Sequence, residues 1–439
     1  MGALAGALPS LLLGVLLMSA PETLGDNPGL VVRITNKGLE YVAREGLVAL
    51  QNKLHKITLP DFTGDVNIKH VGSGHYELYR LPSAFPELDS LTGTLEVHSC
   101  ELLGSALTPL PGQGLHFSIS DSFIRVKGKW KVRKWKLKLQ GSFDLKVEGI
   151  TISVNLLLGS EPSGRPKVAV SSCSSHIRDV ETHVSGDLGW LLNLFHSQIE
   201  SKFQRMLESK ICEKIEDSVP SDLQPYLQTL PVTTEIDDFM GIDYSLTEAP
   251  RATAQMLEVM LKGEIFSRDH RSPVAFLAPV MSLPEEHSRM VYFAISDYAF
   301  NTASLAYHEV GYLNFSITDD MVPPNSNLRL TTKSFRAFAP RATNVSATLT
   351  FNTSKITGFL EPRKIQVELK ESKVGVFSVE MLEALLNYYI LNTLYPKVND
   401  KLEKGFPLPL LKQIELYDPV LQIHKDFLFL GANVQYLRV

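Results

Sequence analysis

From residue 36 to 217, and again from 296 to 404, the chain runs through the same order of elements. A helical stretch comes first, alternating strands follow, and a long apolar-striped helix ends at prolines. In the first pass the opening helix spans about 36 to 55, with Leu39, Val42, Leu47, Leu50 and Leu54 on one side. The strands include "HFSISDSFIRV", "WKLKLQGSFDLKV" and "ITISVNLLL". The closing helix, about 187 to 217, carries Leu192, Phe195, Ile199, Phe203, Met206 and Ile211 or Cys212, and stops before "VPSDLQPYLQTLP". In the second pass "SDYAFNTASLAYHEVG" suits a helix with a glycine stop, and "GYLNFSI", "SATLTF" and "KIQVELK" suit strands. A long helix over 379 to 404 carries Leu382, Leu385, Leu386, Tyr389 and Ile390 and ends at "GFPLPLL". The final "DFLFLGANVQYLRV" reads as a closing strand.

A helix with one apolar stripe and a sheet with one apolar face must each cover the other. The pattern therefore predicts an α+β chain of two similar units, each a twisted antiparallel sheet around a long helix. The first unit covers 26–230 and the second 251–439, with the boundary in 231–250. At 439 residues the chain is long enough for both cores.

The first residues predict a secretory signal over 1–25, because "LLLGVLLM" is a short apolar run and "TLGD" offers small residues for cleavage. Secretion to an extracellular fluid such as plasma follows. Three N-x-S/T sequons, at Asn314, Asn344 and Asn352, are then candidate N-glycosylation sites. Three cysteines, Cys100, Cys173 and Cys212, allow one disulfide and leave one thiol over.

Net charge is −5, which argues against a general nucleic-acid binder. Against that background the passage "RVKGKWKVRKWKLK", residues 125 to 138, holds eight basic residues, no acid and two of the three tryptophans, Trp130 and Trp135. Its alternation changes phase at Arg133–Lys134, as expected where a turn or bulge separates two strands facing one core. Solvated lysines also protect a sheet edge. Eight without an acid in the segment repel one another, which favours a polyanionic partner: an anionic lipid headgroup, a sulfated glycan or nucleic acid. Catalytic and metal signatures are missing: there is no G-x-S-x-G, Walker loop, G-x-G-x-x-G or H-E-x-x-H. Cys173 and His176 in "CSSH" lack further metal ligands at useful spacing. The chain is expected to act by binding, with no catalytic residue, metal or cofactor.

"NPGLVVRITNKGLEYVAREGLVALQNKLHKITLPDFTGD", "GKWKVRK", "GSFDLKVEGITISVNLLLGS", "SGDLGWLLNLFHSQIESKF" and "LQIHKDFLFLGANVQY" resemble the secreted lipid-binding family of bactericidal/permeability-increasing protein and the lipid-transfer proteins. The resemblance covers most of the mature chain, and the mildly acidic pI near 6.2 sets it apart from the strongly cationic bactericidal member. It implies an elongated boomerang of two barrels joined by a linker and central sheet at 231–250, with a phospholipid in an apolar pocket of each. It further implies that Trp130, Lys131, Arg133 and Lys134 contact the phosphates of lipid A, with Lys138 nearby and Lys127, Lys129 and Lys136 extending the set. Lys53 and Lys56 are implied to join the same tip. Cys173 and Cys212 match the family disulfide, which leaves Cys100 free.

The implied partners are bacterial lipopolysaccharide, Gram-negative outer membranes, phospholipid, and a cell-surface endotoxin co-receptor with its Toll-like receptor complex. The implied role is innate defence by delivery of lipopolysaccharide from aggregates to receptors. Plasma transfer of phospholipid or neutral lipid is the alternative, and would not require the basic passage. Two stretches depart from the family pattern. "RLPSAFPELDSLTGTLEV" reads as an insertion, and "FRAFAPRATNVSATL" joins parts that the family separates by several strands. The second barrel is therefore expected to be shortened.

Overall fold

The computed structural model describes residues 27–60, 62–68, 72–79, 94–134, 137–186, 196–312, 335–341, 346–372 and 380–437. Strand β1 (Leu30–Thr35) leads directly into helix α1 (Asn36–His55). Thr35 caps that helix, its hydroxyl oxygen accepting the Gly38 N–H and satisfying one of the orphan donors of the first turn. Of the expected α1 stripe, Leu39 and Leu54 are buried, but Val42 is 49% exposed and lies off the packed face.

A seven-stranded antiparallel sheet follows. It comprises β2 (Thr58–Pro60), β3 (Phe62–Ile68), β4 (Gly72–Tyr79), β5 (Thr94–Leu110), β6 (Gly114–Lys134), β7 (Leu137–Ser160) and β8 (Pro166–Gly186). The long strand β6 pairs with β5, β4 and β7, and β7 hands on to β8. Helix α2 (His196–Ser218) then crosses this sheet. Phe203, Leu207, Ile211 and Ile215 of α2 are buried in one cluster with Ile124, Val126, Phe143, Leu145, Val147 and Ile150 of β6 and β7. Glu208 accepts the Ile177 N–H and Gln204 donates to the Ile177 carbonyl, so α2 is tied to β8 by hydrogen bonds as well as by apolar contact.

The second half contains β9 (Thr233–Glu235), β10 (Met240–Asp243), β11 (Arg251–Ala252), β12 (Met256–Leu261), β13 (Glu264–Ser267) and β14 (Val291–Ser296). Helix α3 (Asp297–Glu309) has Ser296 as its cap, as the "SDYAF" start requires. Then come β15 (Phe335–Arg341), β16 (Ala347–Asn352), β17 (Lys355–Leu360) and β18 (Gln366–Ser372). The long helix expected over 379 to 404 is described as α4 (Glu380–Tyr389) and α5 (Tyr395–Lys404), separated by a π-helical turn at 390–394. Gly405 stops it at φ 77°, a conformation that costs glycine little. The chain closes with β19 (Phe406–Pro407), β20 (Ile414–His424) and β21 (Phe427–Tyr436).

The halves meet in a six-stranded sheet of order β11-β12-β1-β14-β21-β20. The central sheet was expected within 231–250, and here the structure differs. The two strands inside that stretch, β9 and β10, join β13 in a separate three-stranded sheet. Central strands come instead from both ends of the chain and from 251–296, because β1 offers both edges for pairing, to β12 and to β14. Buried Glu258 on β12 accepts from Arg33 at 2.8 Å and from Arg251 at 2.6 Å, linking β1, β12 and β11 by charge.

Candidate functional site

The basic passage occupies the ends of β6 and β7. Lys134 pairs with Leu137, Arg133 with Lys138, Val132 with Leu139 and Lys131 with Gln140. Along β6, Ser122, Ile124, Val126 and Gly128 are buried while Phe123, Arg125, Lys127 and Lys129 are half-buried, as the alternation predicts. Along β7 the buried set is Phe143, Leu145 and Val147, so the phase does change between the strands. The pairing runs unbroken through Arg133 and Lys134, so the change does not fall at Arg133–Lys134; residues 135 and 136, which join the strands, lie outside the described residues. Antiparallel partners share a face. By register, Lys127, Lys129, Lys131, Arg133 and Lys138 therefore occupy one face. Trp130 and Lys134 fall in the opposite set, with Val126, Val132, Leu137 and Leu139.

The neighbouring strands supply acids that the linear segment lacks. Arg125 donates to Asp144 at 3.0 Å. Lys127 stands opposite Glu96 on β5 and Asp144 on β7, and Lys131 stands opposite Glu77 on β4. At the end of the hairpin the balance differs. Arg133 has Lys138 on one side and His75 of β4 on the other. Like charges directly opposite one another destabilise a sheet unless an anion is present. The positive field is therefore concentrated toward the hairpin end, where a phosphate would relieve it.

Lys53 and Lys56 lie at the end of α1, just before β2, whose Thr58 pairs with Glu96 of β5, itself the partner of Lys127. Lys53 makes an ion pair with Asp222 at 2.7 Å, and hydrogen bonds from Lys53 and then from Ser221 hold that carboxyl below its usual range. Two residues earlier, Gln51 accepts the Leu102 N–H, placing this part of α1 beside the middle of β5. Exposed Lys56 caps α1, its N–H donating to the carbonyls of Leu54 and Lys53. Cys173 and Cys212 form the disulfide, pinning α2 to β8. Cys100 is a buried free thiol, and burial pushes its pKa up to about 11, which leaves it protonated and unreactive. Asn352 is exposed at the β16–β17 turn, whereas Asn314 and Asn344 lie outside the described residues. Among the described residues no group of His, Cys, Asp or Glu is arranged to hold a metal ion, and no helix is long and apolar enough to cross a membrane.

An apolar cavity of about 50 Å³ lies in the second half. Leu30, Ile242, Phe300, Ile356, Leu402 and Phe406 are among its walls. That is room for a few water-sized groups and not for an acyl chain.

Comparison with known proteins bears on both halves. The N-terminal domain model of the LBP / BPI / CETP family matches residues 38–228. The C-terminal domain model of the same family matches in two pieces, 234–344 and 341–436. The pieces overlap at 341–344, between β15 and β16. The lipopolysaccharide-binding protein of Homo sapiens is 66% identical over 495 aligned positions, covering 100% of each chain. That span exceeds the 439 residues present here, so the alignment opens gaps in this chain. The lipopolysaccharide-binding protein of Bos taurus is 67% identical over 99% of each chain. The bactericidal permeability-increasing protein of Rattus norvegicus is 34% identical over 94% of each. A crystal structure of lipopolysaccharide binding protein superposes with a TM-score of 0.71 at 56% identity, covering 94% of this chain and 100% of that one. With both domains matched and full-length relatives at this identity, the chain belongs to the LBP / BPI / CETP family.

Proposed function

We propose that this chain is a secreted host-defence protein that binds the lipid A part of bacterial lipopolysaccharide through the end of the β6–β7 hairpin and helps single molecules leave their aggregates. The observation that carries the reading is the register that gathers Lys129, Lys131, Arg133 and Lys138 on one face with too few opposing acids. Relatives at 66–67% identity, matched over nearly their whole length, are named for binding lipopolysaccharide.

The chemistry divides the labour. Each buried methylene contributes about 0.8 kcal/mol, so sequestering one acyl chain of about twelve carbons approaches roughly 10 kcal/mol before costs. A charge-assisted hydrogen bond contributes about 1.5–3 kcal/mol. Acyl chains dominate the affinity wherever they are taken in, and the basic face supplies discrimination and encounter rate. Its reach is about one Debye length, roughly 8 Å at physiological salt. The cavity in the second half must widen before it accepts a phospholipid tail. Handover to a cell-surface co-receptor and its Toll-like receptor complex is the downstream step of this reading, and the role is binding and transfer without catalysis.

The test is transfer of fluorescent lipopolysaccharide out of aggregates as a function of salt, comparing the intact protein with Lys131→Ala/Arg133→Ala. The reading expects lost transfer in the variant, with uptake of neutral phospholipid retained. Equal transfer by both proteins would remove the hairpin from recognition and favour generic lipid transfer.

A further inference from the structure

The apolar cavity of the second half lies between two bodies of structure. Leu30 of β1, Ile242 of β10 and Phe300 of α3 wall one side. Ile356 of β17, Leu402 of α5 and Phe406 of β19 wall the other, and β16, β17 and β19 form one sheet. Asn399 of α5 accepts the Leu360 N–H at 2.7 Å and donates to the Leu360 carbonyl at 3.0 Å, so α5 is fastened to that sheet. Polar ties cross from one side to the other. Lys401, beside the wall residue Leu402, makes an ion pair with Asp237 at 2.5 Å, and the Tyr244 hydroxyl donates to the Pro407 carbonyl. We infer that the Lys401–Asp237 pair is a latch on this cavity: closed, it keeps the space too small for an acyl chain, and released, it lets α5 and its sheet draw back to admit one. The inference rests on the reading above that an acyl chain enters the second half.

The two partners are held unequally. Asp237 is fixed by its own side of the cavity, apart from its tie to Lys401. Its Oδ1 accepts the Phe239 and Met240 N–H groups at 2.9 Å each, and its Oδ2 accepts the Tyr307 hydroxyl at 2.8 Å. Phe239, Tyr307 and Tyr312 set their rings 5.6, 5.8 and 5.0 Å from the Lys401 ammonium, and all three lie on the Asp237 side. One body thus presents a socket of one carboxylate and three aromatic rings, and the other inserts a single cation. The pair is mostly out of water, with 14% and 9% of the two side chains exposed, so it holds more firmly than a surface pair. The backbone can bend at each end of α5: at the π-helical turn over 390–394 before it and at Gly405, φ 77°, after it. Across the cavity the walls lack close contact. Little dispersion energy is therefore lost when they part, and an entering chain supplies new apolar contact.

The full-length protein would be exposed briefly to a fatty acid carrying a photoactivatable diazirine in its chain, then irradiated, and the labelled peptides mapped by mass spectrometry. Four forms would be compared: the unaltered chain, Asp237→Asn, Lys401→Met and Lys401→Arg. Asn keeps an oxygen for the Phe239 and Met240 N–H groups, and Met keeps an unbranched stem among the rings, so both forms should fold. Near-UV circular dichroism matching that of the unaltered chain would check this. Labelling of the wall segments 295–300 and 402–408 should be about tenfold faster in Asp237→Asn and Lys401→Met, as loss of one charge-assisted hydrogen bond implies. Lys401→Arg keeps the charge and should stay within about twofold of the unaltered chain. Equal labelling rates in all four forms would overturn the latch, as would a Lys401→Arg form as fast as Lys401→Met. If no form were labelled at either segment, the reading that an acyl chain enters the second half would fall instead.

Discussion

The two halves carry the same element order but bury it differently. In the first half one continuous sheet wraps α2, and Phe203, Leu207 and Ile211 are fully buried. In the second half the strands around the corresponding helix form separate sheets of two and three strands. Leu385, Leu386, Tyr389 and Ile390 are only half-buried there, and among the described side chains of α4 the buried one is the polar Asn387. Asn387 is held by paired hydrogen bonds with the backbone N–H and carbonyl of Ile365. An apolar stripe shows what a helix could bury, and only the sheet facing it decides how much it does bury. Among the described residues the second half has less sheet facing this helix, and its family match comes in two pieces that meet at 341–344.

The sharpest way to break this comparison is truncation on each helix. Phe203→Ala should destabilise the first half by about 3–5 kcal/mol, because a fully packed aromatic leaves a cavity that the sheet cannot close. Leu386→Ala should cost only about 1 kcal/mol, since much of its side chain already meets solvent. Chemical denaturation followed by tryptophan fluorescence and far-UV circular dichroism would measure both. Similar losses would mean that the second helix is as well covered as the first.

Acid should separate the halves next. In the second half, burial works to raise the Asp237 carboxyl, but hydrogen bonds from Lys401 at 2.5 Å and from Tyr307 outweigh it and hold the pKa low. Asp243 and Glu264 follow the same pattern, each raised by burial and lowered further by Arg271. A carboxylate whose folded pKa is depressed contributes stability above its unfolded pKa, near 4, and loses it as pH falls through the folded value. Hydrogen exchange at falling pH should therefore show β10 and α5 opening before α2 does. Simultaneous opening would show that these carboxylates contribute little.

The smallest effect sharpens the view of the first half. Gly46 lies inside α1, exposed, with open space where a Cβ would stand. Gly46→Ala should stabilise by about 0.5–1 kcal/mol by reducing the entropy of the unfolded chain. A rise in the first-half thermal transition, with no change in the second, would place that helix wholly within the first cooperative unit.

Much of the architecture was legible because it rests on local period. The bounds of α1, the Ser296 cap and Gly311 stop around α3, the closing strand β21 and the phase change between β6 and β7 are all written in neighbouring residues. The Cys173–Cys212 pairing followed from family resemblance rather than from spacing, and the disulfide is present. The central sheet was not legible within 231–250, since β1, β14 and β21 meet across most of the chain length.

What the residues alone determined is thus the order of elements, the apolar faces and the presence of an uncompensated basic stretch, because periodicity and charge are properties of adjacent positions. The tertiary structure alone decided which face each lysine joins, which acids from β4, β5 and β7 stand across from them, and how far each helix is covered. Those outcomes depend on strand register, and register is set by partners brought together from distant parts of the chain.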